Sequence, residues 1–280
     1  MSHFAEQRRI LQRRHARSVE IDDHVVLEEP LEIKLEYGPA ARRERYTLAV
    51  TMRTPGHDED LIRGFLFTEG IIDRPEQVAG FERPESSEDH TVTALLDPDL
   101  VFLPDRQQRH FYTSSSCGVC GKASIDMVHQ VSAYRLDPAV PVISEKVLMQ
   151  MSDRMRQAQH AFDLTGGIHA AALFDLNGQV ACTREDVGRH NAVDKLIGWA
   201  GQQSLLPLSN SVVMVSGRAG FELIQKAVVA GVPLFVAVGA PSSLAIELAE
   251  RSDMTLVAFM RDHGFNVYTH PQRIRLDQDS

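Results

Sequence analysis

Two hydrophobic periods alternate along the chain. In "PLEIKLEY", Leu31, Ile33 and Leu35 alternate with polar neighbours, and in "RYTLAVTMR" Tyr46, Leu48, Val50 and Met52 do the same. A period of two gathers side chains on one face of a strand. Both segments are therefore read as half-buried strands joined through "GPAARRE". The period lengthens at "TPGHDEDLIRGFLFTEGII". Pro55-Gly56 stops the strand, and Asp58 is placed to cap a helix with Leu61, Ile62, Phe65 and Leu66 on its apolar side. Gly70 is its stop. Residues 1–18 are polar and read as a flexible tail, and residues 73–90 read as acidic surface loop. "HTVTALLD" and "RQQRHFYT" add short strands.

Beyond residue 140 the alternation is more regular. "SEKVLMQMSDRMRQAQHAF" sets Val147, Leu148, Met151, Met155, Ala158 and Phe162 along one side of a helix. "HAAALFD" and "QVACTRE" flank the hairpin turn Leu176-Asn177-Gly178. "HNAVDKLIGWA" is a helix with Ala192, Val193, Leu196, Ile197 and Ala200 facing inwards. The runs "SVVMVS", "PLFVAV" and "TLVAFM" are short, almost wholly apolar and separated by helix-sized segments, a pattern for central strands covered on both faces. The expected architecture is α/β. A C-terminal three-layer α/β/α sandwich has one hairpin and a mostly parallel remainder, and a smaller N-terminal domain is mixed α+β. The expected division is a tail at 1–18, a small domain at 19–125 ending in a C-x-x-C loop, and the sandwich at 126–280.

Composition narrows the function classes. Hydrophobic residues make up 43% and charged residues 24%, as in water-soluble globular chains. The net charge of −9 does not suit non-specific nucleic-acid binding. No apolar run has the length of a signal peptide or a membrane span, so a cytoplasmic protein without membrane insertion is expected. Three cysteines do not build a disulfide framework.

Two of those cysteines stand in "TSSSCGVCGKAS". The glycines beside Cys117 and Cys120 describe an exposed loop rather than core. A zinc site wants a second close ligand pair. Cys182 has no cysteine partner, and His57, His110 and His129 lack convincing spacing. A thioredoxin-like site wants a βαβ setting that the neighbouring sequence lacks. Sulfur carriage as a persulfide needs exposure, mobility and a thiolate, which Lys122 would favour. The residues permit this reading alongside the others.

Glycine turns supply a second set of candidates. Ser216-Gly217-Arg218-Ala219-Gly220 lies between a strand and a helix, where open backbone N–H groups and a guanidinium suit an anion. An ordinary tight connection is the competing reading. "TREDVGRHNAVDK" repeats the pattern with Gly188, Arg189, His190 and Asn191, and Asp186 is a candidate partner for Arg189. His169 follows Gly166-Gly167 and alone reads as structural. "AFMRDHGF" leads from strand residues into Arg261, Asp262, His263 and Gly264, beyond a strand's carboxyl end where α/β sheets bind ligands. Arg261 and His263 suit phosphate, and Asp262 suits the donors of a guanine edge.

Five stretches taken in order, "TPGHDEDLIRGFLFTEGII", "SSSCGVCGKASI", "TREDVGRHNAVDKLIG", "VSGRAGFELIQKA" and "GFNVYTHPQRI", resemble the FdhD/NarQ family of formate dehydrogenase accessory sulfurtransferases over about residues 20–275. The resemblance implies a cytoplasmic homodimer. It takes persulfide sulfur from a cysteine desulfurase and passes it to the molybdenum cofactor of formate dehydrogenase, the bis-molybdopterin guanine dinucleotide, which guanine nucleotides such as GDP would mimic. It assigns the persulfide to Cys117, with Cys120 as relay, and cofactor binding to Phe259, Met260, Arg261, Asp262, His263 and Gly264. Gly217, Arg218, Arg189 and His190 join that site as the anion-binding turns. It also implies a cytidine-deaminase-like second domain. His190 is present there, but "SGRAGFE" stands where a zinc deaminase has P-C-x-x-C, so no metal is expected. A non-catalytic chaperone that binds and delivers the cofactor is the competing function.

Overall fold

The structure is a computed structural model that describes residues 4–84, 90–104, 134–261 and 263–276. The first two strands are β1 (Ala5–Arg14) and β2 (Arg17–Val26), which pair as an antiparallel ribbon. The flexible tail expected through residue 18 is thus largely a strand pair. Its charged residues alternate with Ile10, Val19, Ile21 and Val25, and cross-strand pairing satisfies the backbone.

A four-stranded sheet follows in the order β4-β3-β6-β5, from β3 (Glu29–Tyr37), β4 (Glu44–Arg53), β5 (Val78–Glu82) and β6 (Thr91–Leu96). Leu31, Ile33 and Leu35 are buried as their alternation predicts. The segment expected as loop at 73–90 contains a 3-10 turn at Pro75–Gln77 and β5, whose backbone pairs with β6. Helix α1 (Asp58–Thr68) covers this sheet's apolar face with Leu61, Ile62 and Leu66. Asp58 is not its cap. His57, at positive φ, holds that position without a side-chain capping bond. Asp58 is instead the first helical residue, buried, and accepts from Arg53 Nε at 2.9 Å and Arg53 Nη2 at 3.3 Å. Gly70 does follow the helix end, at φ +67°.

The larger unit is a six-stranded sheet in the order β13-β12-β11-β10-β8-β9. Its strands are β8 (His169–Phe174), β9 (Val180–Asp186), β10 (Val212–Val215), β11 (Leu234–Ala237), β12 (Thr255–Arg261) and β13 (Gly264–Val267). Only β10–β11 and β11–β12 are parallel, while β8–β9, β8–β10 and β12–β13 are antiparallel. The mostly parallel sheet is therefore corrected to a mixed one, because a second hairpin adds β13 at the far edge. Alternate strand residues enter two separate cores. On one face Leu173, Val213, Phe235 and Leu256 meet α4 (Arg189–Gln202), α5 (Phe221–Val229) and α6 (Ser243–Arg251). On the other, Phe174, Met214, Val236 and Val257 meet Leu148, Met151 and Met155 of α2 (Glu145–Gln157). The long helix expected at 145–162 breaks before α3 (His160–Thr165). The Glu185 carboxylate accepts there from the Ala161 and Phe162 N–H groups, each at 2.9 Å, and starts a new helix. The parallel pair β7 (Ile143–Ser144) and β14 (Ile274–Arg275) closes that side. The expected domain boundary at 125/126 lies outside the described residues. Among the described helices, none is long and apolar enough to cross a membrane.

The two units share one core. Helix α1 crosses α4 at Gly64 and Gly198, where neither position has room for a methyl group. A Cβ on Gly64 would stand 1.9 Å from Asp194 O, and one on Gly198 would stand 1.9 Å from Asp60 O. Beside the crossing, Lys226 of α5 meets Asp194 at 3.0 Å and Glu69 at 2.9 Å, and Thr68 donates to Asp194 at 2.8 Å. Burial alone would lower the lysine pKa. Asp194 and Glu69 more than reverse this, so the ammonium stays charged.

Gly198→Ala tests the crossing. Helix propensity alone would stabilise the change by about 1 kcal/mol. The backbone clash should outweigh it and destabilise the protein by roughly 1–3 kcal/mol. Urea unfolding should show a lower midpoint. An unchanged or raised midpoint would show that the two helices do not meet this closely.

Candidate functional site

The site lies where β10, β11 and β12 end and the antiparallel β8 begins. After β10 the chain runs Ser216-Gly217-Arg218, and after β11 it runs Val238-Gly239-Ala240. These turns are tied together: Gly239 N donates to Gly217 O at 2.8 Å, Ala219 N to Ala240 O at 3.1 Å and Ser242 N to Ala219 O at 3.0 Å. A Cβ on Gly239 would stand 2.9 Å from Gly217 O and 3.0 Å from Arg218 Cα, so glycine permits this approach. Ser216 locks the β10 end to β8, since its hydroxyl accepts from Ala170 N at 2.9 Å. His169, at the start of β8, lies against Gly217, its Nδ1 3.4 Å from where a Cβ on that glycine would stand.

The second turn is built from Asp186 at the end of β9. This fully buried carboxylate accepts from Gly188 N at 2.8 Å, Asn191 Nδ2 at 3.0 Å and Thr54 N at 3.2 Å. Its ion-pair partner is Lys195, also buried, at 2.7 Å. The expected Asp186–Arg189 pairing is therefore corrected: Lys195, one helical turn past Asn191, brings its ammonium to the same carboxylate. That ammonium also donates to Thr54 O at 2.8 Å. The result fixes Gly188-Arg189-His190 at the start of α4 and leaves Arg189 partly exposed. Gly188 and Gly220, the N-cap residues of α4 and α5, supply no side-chain cap. Such helix starts favour negative charge. His190 Nε2 meets Glu222 Oε2, in the first turn of α5, at 2.8 Å.

The third part is β12. Ala258 belongs to one core and Met260 to the other, although residues two apart in a regular strand share a face. A bulge between Ala258 and Arg261 causes the switch. Phe259 sits in it at φ +55° with 40% of its surface exposed. That conformation is strained for a bulky residue, and such strain concentrates at functional positions. Arg261 is exposed and its Nη1 donates to Val238 O at 2.6 Å, which ties it to the β11 turn.

The structure therefore brings Arg189, His190, Gly217, Arg218, Phe259 and Arg261 to one edge of the sheet. Met260 is the exception within the expected binding segment: its side chain is fully buried beneath the opposite face, and the bulge put it there. His263 is exposed and Gly264 opens β13, paired with Arg261. Cys117, Cys120 and Asp262 lie outside the described residues, as do His110 and His129. Cys182 is buried on β9, and burial first of all raises its thiol to about 11, so it is a packing residue. Sequence reasoning missed Gly239, Glu222 and the part of Lys195, and it read His169 as structural. Gly239 alone had a legible signal, since "VAVGAPSS" repeats the strand-glycine-helix order of "MVSGRAGFE".

The family model described as FdhD/NarQ matches residues 26–275. The chain belongs to that family. A relative named sulfur carrier protein FdhD from Streptomyces avermitilis is 46% identical over 99% of this chain and 98% of its own length. The protein of the same name from Mycobacterium tuberculosis is 47% identical over 89% of this chain and 91% of its own length. Among solved structures, one described as a formate dehydrogenase accessory protein from Desulfotalea psychrophila is similar with a TM-score of 0.72. It is 24% identical and covers 97% of this chain and 100% of that one. The α/β fold of this family member is thus close to that of the solved accessory protein.

Two measurements test the local chemistry. Asp186→Asn leaves the Lys195 ammonium buried without its counter-charge, so it should cost about 3–5 kcal/mol in denaturant unfolding. A loss under 1 kcal/mol would show that the pair is solvated. Burial first, and then Arg189 and His190, hold His169 below its ordinary 6.5 against the pull of Asp186. The unfolded chain then gains a proton near pH 6.5 that the folded chain resists. Stability present above pH 6.5 is lost as the pH falls towards the folded value. The His169 imidazole should titrate below 6.5 by NMR, and a value above it would contradict this environment.

Proposed function

We propose that the chain is a sulfurtransferase that carries sulfur for a formate dehydrogenase. It would take a persulfide from a cysteine desulfurase on Cys117 and pass the sulfur to the molybdenum cofactor in its bis-molybdopterin guanine dinucleotide form. The observation that supports it most is the convergence at one sheet edge of two open helix starts, Arg189, Arg218 and Arg261 with the outward-turned Phe259. Backbone N–H groups and guanidinium forks suit the cofactor's phosphates, and an exposed aromatic ring suits a flat base. The names of the relatives agree with this reading.

Loading follows thiol chemistry. The Cys117 thiolate attacks the terminal sulfur of the donor persulfide, forms an S–S bond and releases the donor's cysteine thiolate. For release, Cys120 thiolate attacks the Cys117 sulfur. It expels the carried atom as hydrosulfide and leaves a Cys117–Cys120 disulfide, so the two thiols supply both electrons. The order of helix, hairpin and alternating units also supports a relationship of the second unit to cytidine deaminases. "GRAG" in place of cysteine ligands argues against deaminase chemistry in this chain.

Intact-mass spectrometry after incubation with a cysteine desulfurase and cysteine should show one added sulfur atom on the wild type and none on Cys117→Ala. That variant should fold normally and fail to activate formate dehydrogenase. Normal activation by it would refute Cys117 as carrier. Nucleotide binding without any persulfide would favour the chaperone reading. In calorimetric titration, GDP should bind more tightly than ADP. Arg218→Glu or Arg261→Glu should weaken GDP binding at least about 10-fold. Equal affinities for the two nucleotides would count against a guanine site.

A further inference from the structure

One carboxylate stands where the candidate site otherwise favours anions. Gly188 and Gly220 open α4 and α5 without side-chain caps, and Arg189, Arg218 and Arg261 share that edge. The second residue of α4 is His190 and the second residue of α5 is Glu222. These two side chains meet, Nε2 to Oε2, at 2.8 Å. They are mostly covered yet still reached by solvent, with 25% of the His190 and 20% of the Glu222 side chain exposed. The backbone ties Glu222 to the rest of the site. Phe259 N donates to Gly239 O at 3.3 Å and Gly239 N to Gly217 O at 2.8 Å, so the β12 bulge, the β11 turn and the β10 turn lie side by side. The β10 turn then runs directly into α5.

A carboxylate at such an edge repels phosphate, so its lone pairs suit a donor instead. An ionised carboxylate accepts about four hydrogen bonds. Among the described residues, His190 is the polar side chain that meets Glu222, and it meets Oε2 alone, which leaves Oε1 over. Asp186, the carboxylate of the other turn, is fully buried and already taken by Lys195, Gly188, Asn191 and Thr54. The arginines only donate, so none of them reads a donor on a ligand. Paired carboxylate oxygens match two donors side by side. A 2-amino-4-oxopyrimidine ring presents that pair, a ring N–H beside an amino group. Guanine has this edge, and so does a pterin. Adenine and cytosine set an acceptor beside their amino group and do not match.

We propose that Glu222, steadied by His190, is a specificity residue that takes the 2-amino-4-oxopyrimidine edge of the ligand. This rests on the cofactor reading above and adds the group that tells one ring from another. The bis-molybdopterin guanine dinucleotide carries this edge on each guanine and on each pterin, with phosphates between them. Backbone N–H groups and guanidinium forks serve the phosphates, and an aromatic face such as Phe259 stacks on a ring whatever its edge. Glu222 is the part that rejects a ring lacking the donor pair, because a buried acceptor left without its donor costs affinity.

The test compares affinities within matched ligand pairs on the full-length chain by calorimetric titration, so that phosphate contacts cancel. Inosine diphosphate is GDP without the 2-amino group, and lumazine is pterin with an oxygen in place of that group. Wild type should prefer GDP to inosine diphosphate, or pterin to lumazine, at least about 10-fold. A preference in the first pair assigns the edge to guanine, and one in the second assigns it to pterin. Glu222→Gln keeps the side chain's length and an oxygen for His190, and should cut the preference to about 2-fold or less. Its affinity for inosine diphosphate or lumazine should stay at the wild-type value, which an unfolded variant could not show. Persulfide loading on Cys117 should also be unchanged, since Glu222 takes no part in it. No preference in either pair, or a preference that survives Glu222→Gln, would overturn the assignment. With Cys117 still loading, the sulfur-carrier reading would stand without it. Absence of both loading and ligand binding in the wild type would overturn that reading and this assignment together.

Discussion

Helix α1 meets α4 backbone to backbone at Gly64 and Gly198, and the arrangement of the whole molecule follows from that crossing. A single methyl at either position would stand 1.9 Å from a carbonyl oxygen. The close approach lets the four-stranded sheet and the six-stranded sheet share one core, with Leu61 and Leu66 on one side and Val193 and Ile197 on the other. Charge then fastens the joint. Arg184 of β9 reaches Asp60 of α1 at 2.8 Å, and Lys226 of α5 reaches Glu69 just beyond it. Once desolvated, each of these charges needs its partner, since a lone buried charge costs several kcal/mol. The joint is therefore specific as well as apolar.

The same constraint shapes the candidate site. Thr54, at the end of β4, is held by Asp186 and Lys195, and its hydroxyl accepts from Val187 N at 3.1 Å. The turn that presents Arg189 and His190 is thereby pinned from the small unit. On the other side, hydrogen bonds between the β10 and β11 turns hold Gly217 and Arg218. The backbone of both helix starts and the Arg261 guanidinium are thus held in place by the fold itself. The bulge at Phe259 extends this edge with an aromatic ring. The price is a backbone conformation that the surrounding ladder must enforce.

Much of this was legible in the sequence because it depends on neighbours along the chain. Strand period in Leu31, Ile33 and Leu35, helix period in Val193, Leu196 and Ile197, and the turn at Asn177-Gly178 each need only local geometry. Helix-separated apolar runs identified the buried strands, and the glycine turns lie between strand and helix as their sequence suggests. Other features were not legible for a physical reason. The bulge that buries Met260 and exposes Phe259 breaks the period of two without changing composition. The ribbon at residues 5–26 carries so much charge that its alternation is hidden. Glu185, which interrupts the long helix, acts from a different strand.

By itself, then, the sequence determined most of the strands and helices beyond residue 28, where the glycine turns lie, and through five ordered motifs the family. Local hydrogen bonding and side-chain period are written in residues three or four apart at most. Only the tertiary structure decided that Lys195, not Arg189, answers Asp186, that His169 stands against Gly217, and that Gly64 meets Gly198. Those choices depend on which surfaces the fold brings together, across more than a hundred residues of chain for Asp60 and Gly198. They are settled by steric fit and by the cost of burying a charge without a partner, and neither quantity exists until the chain has folded.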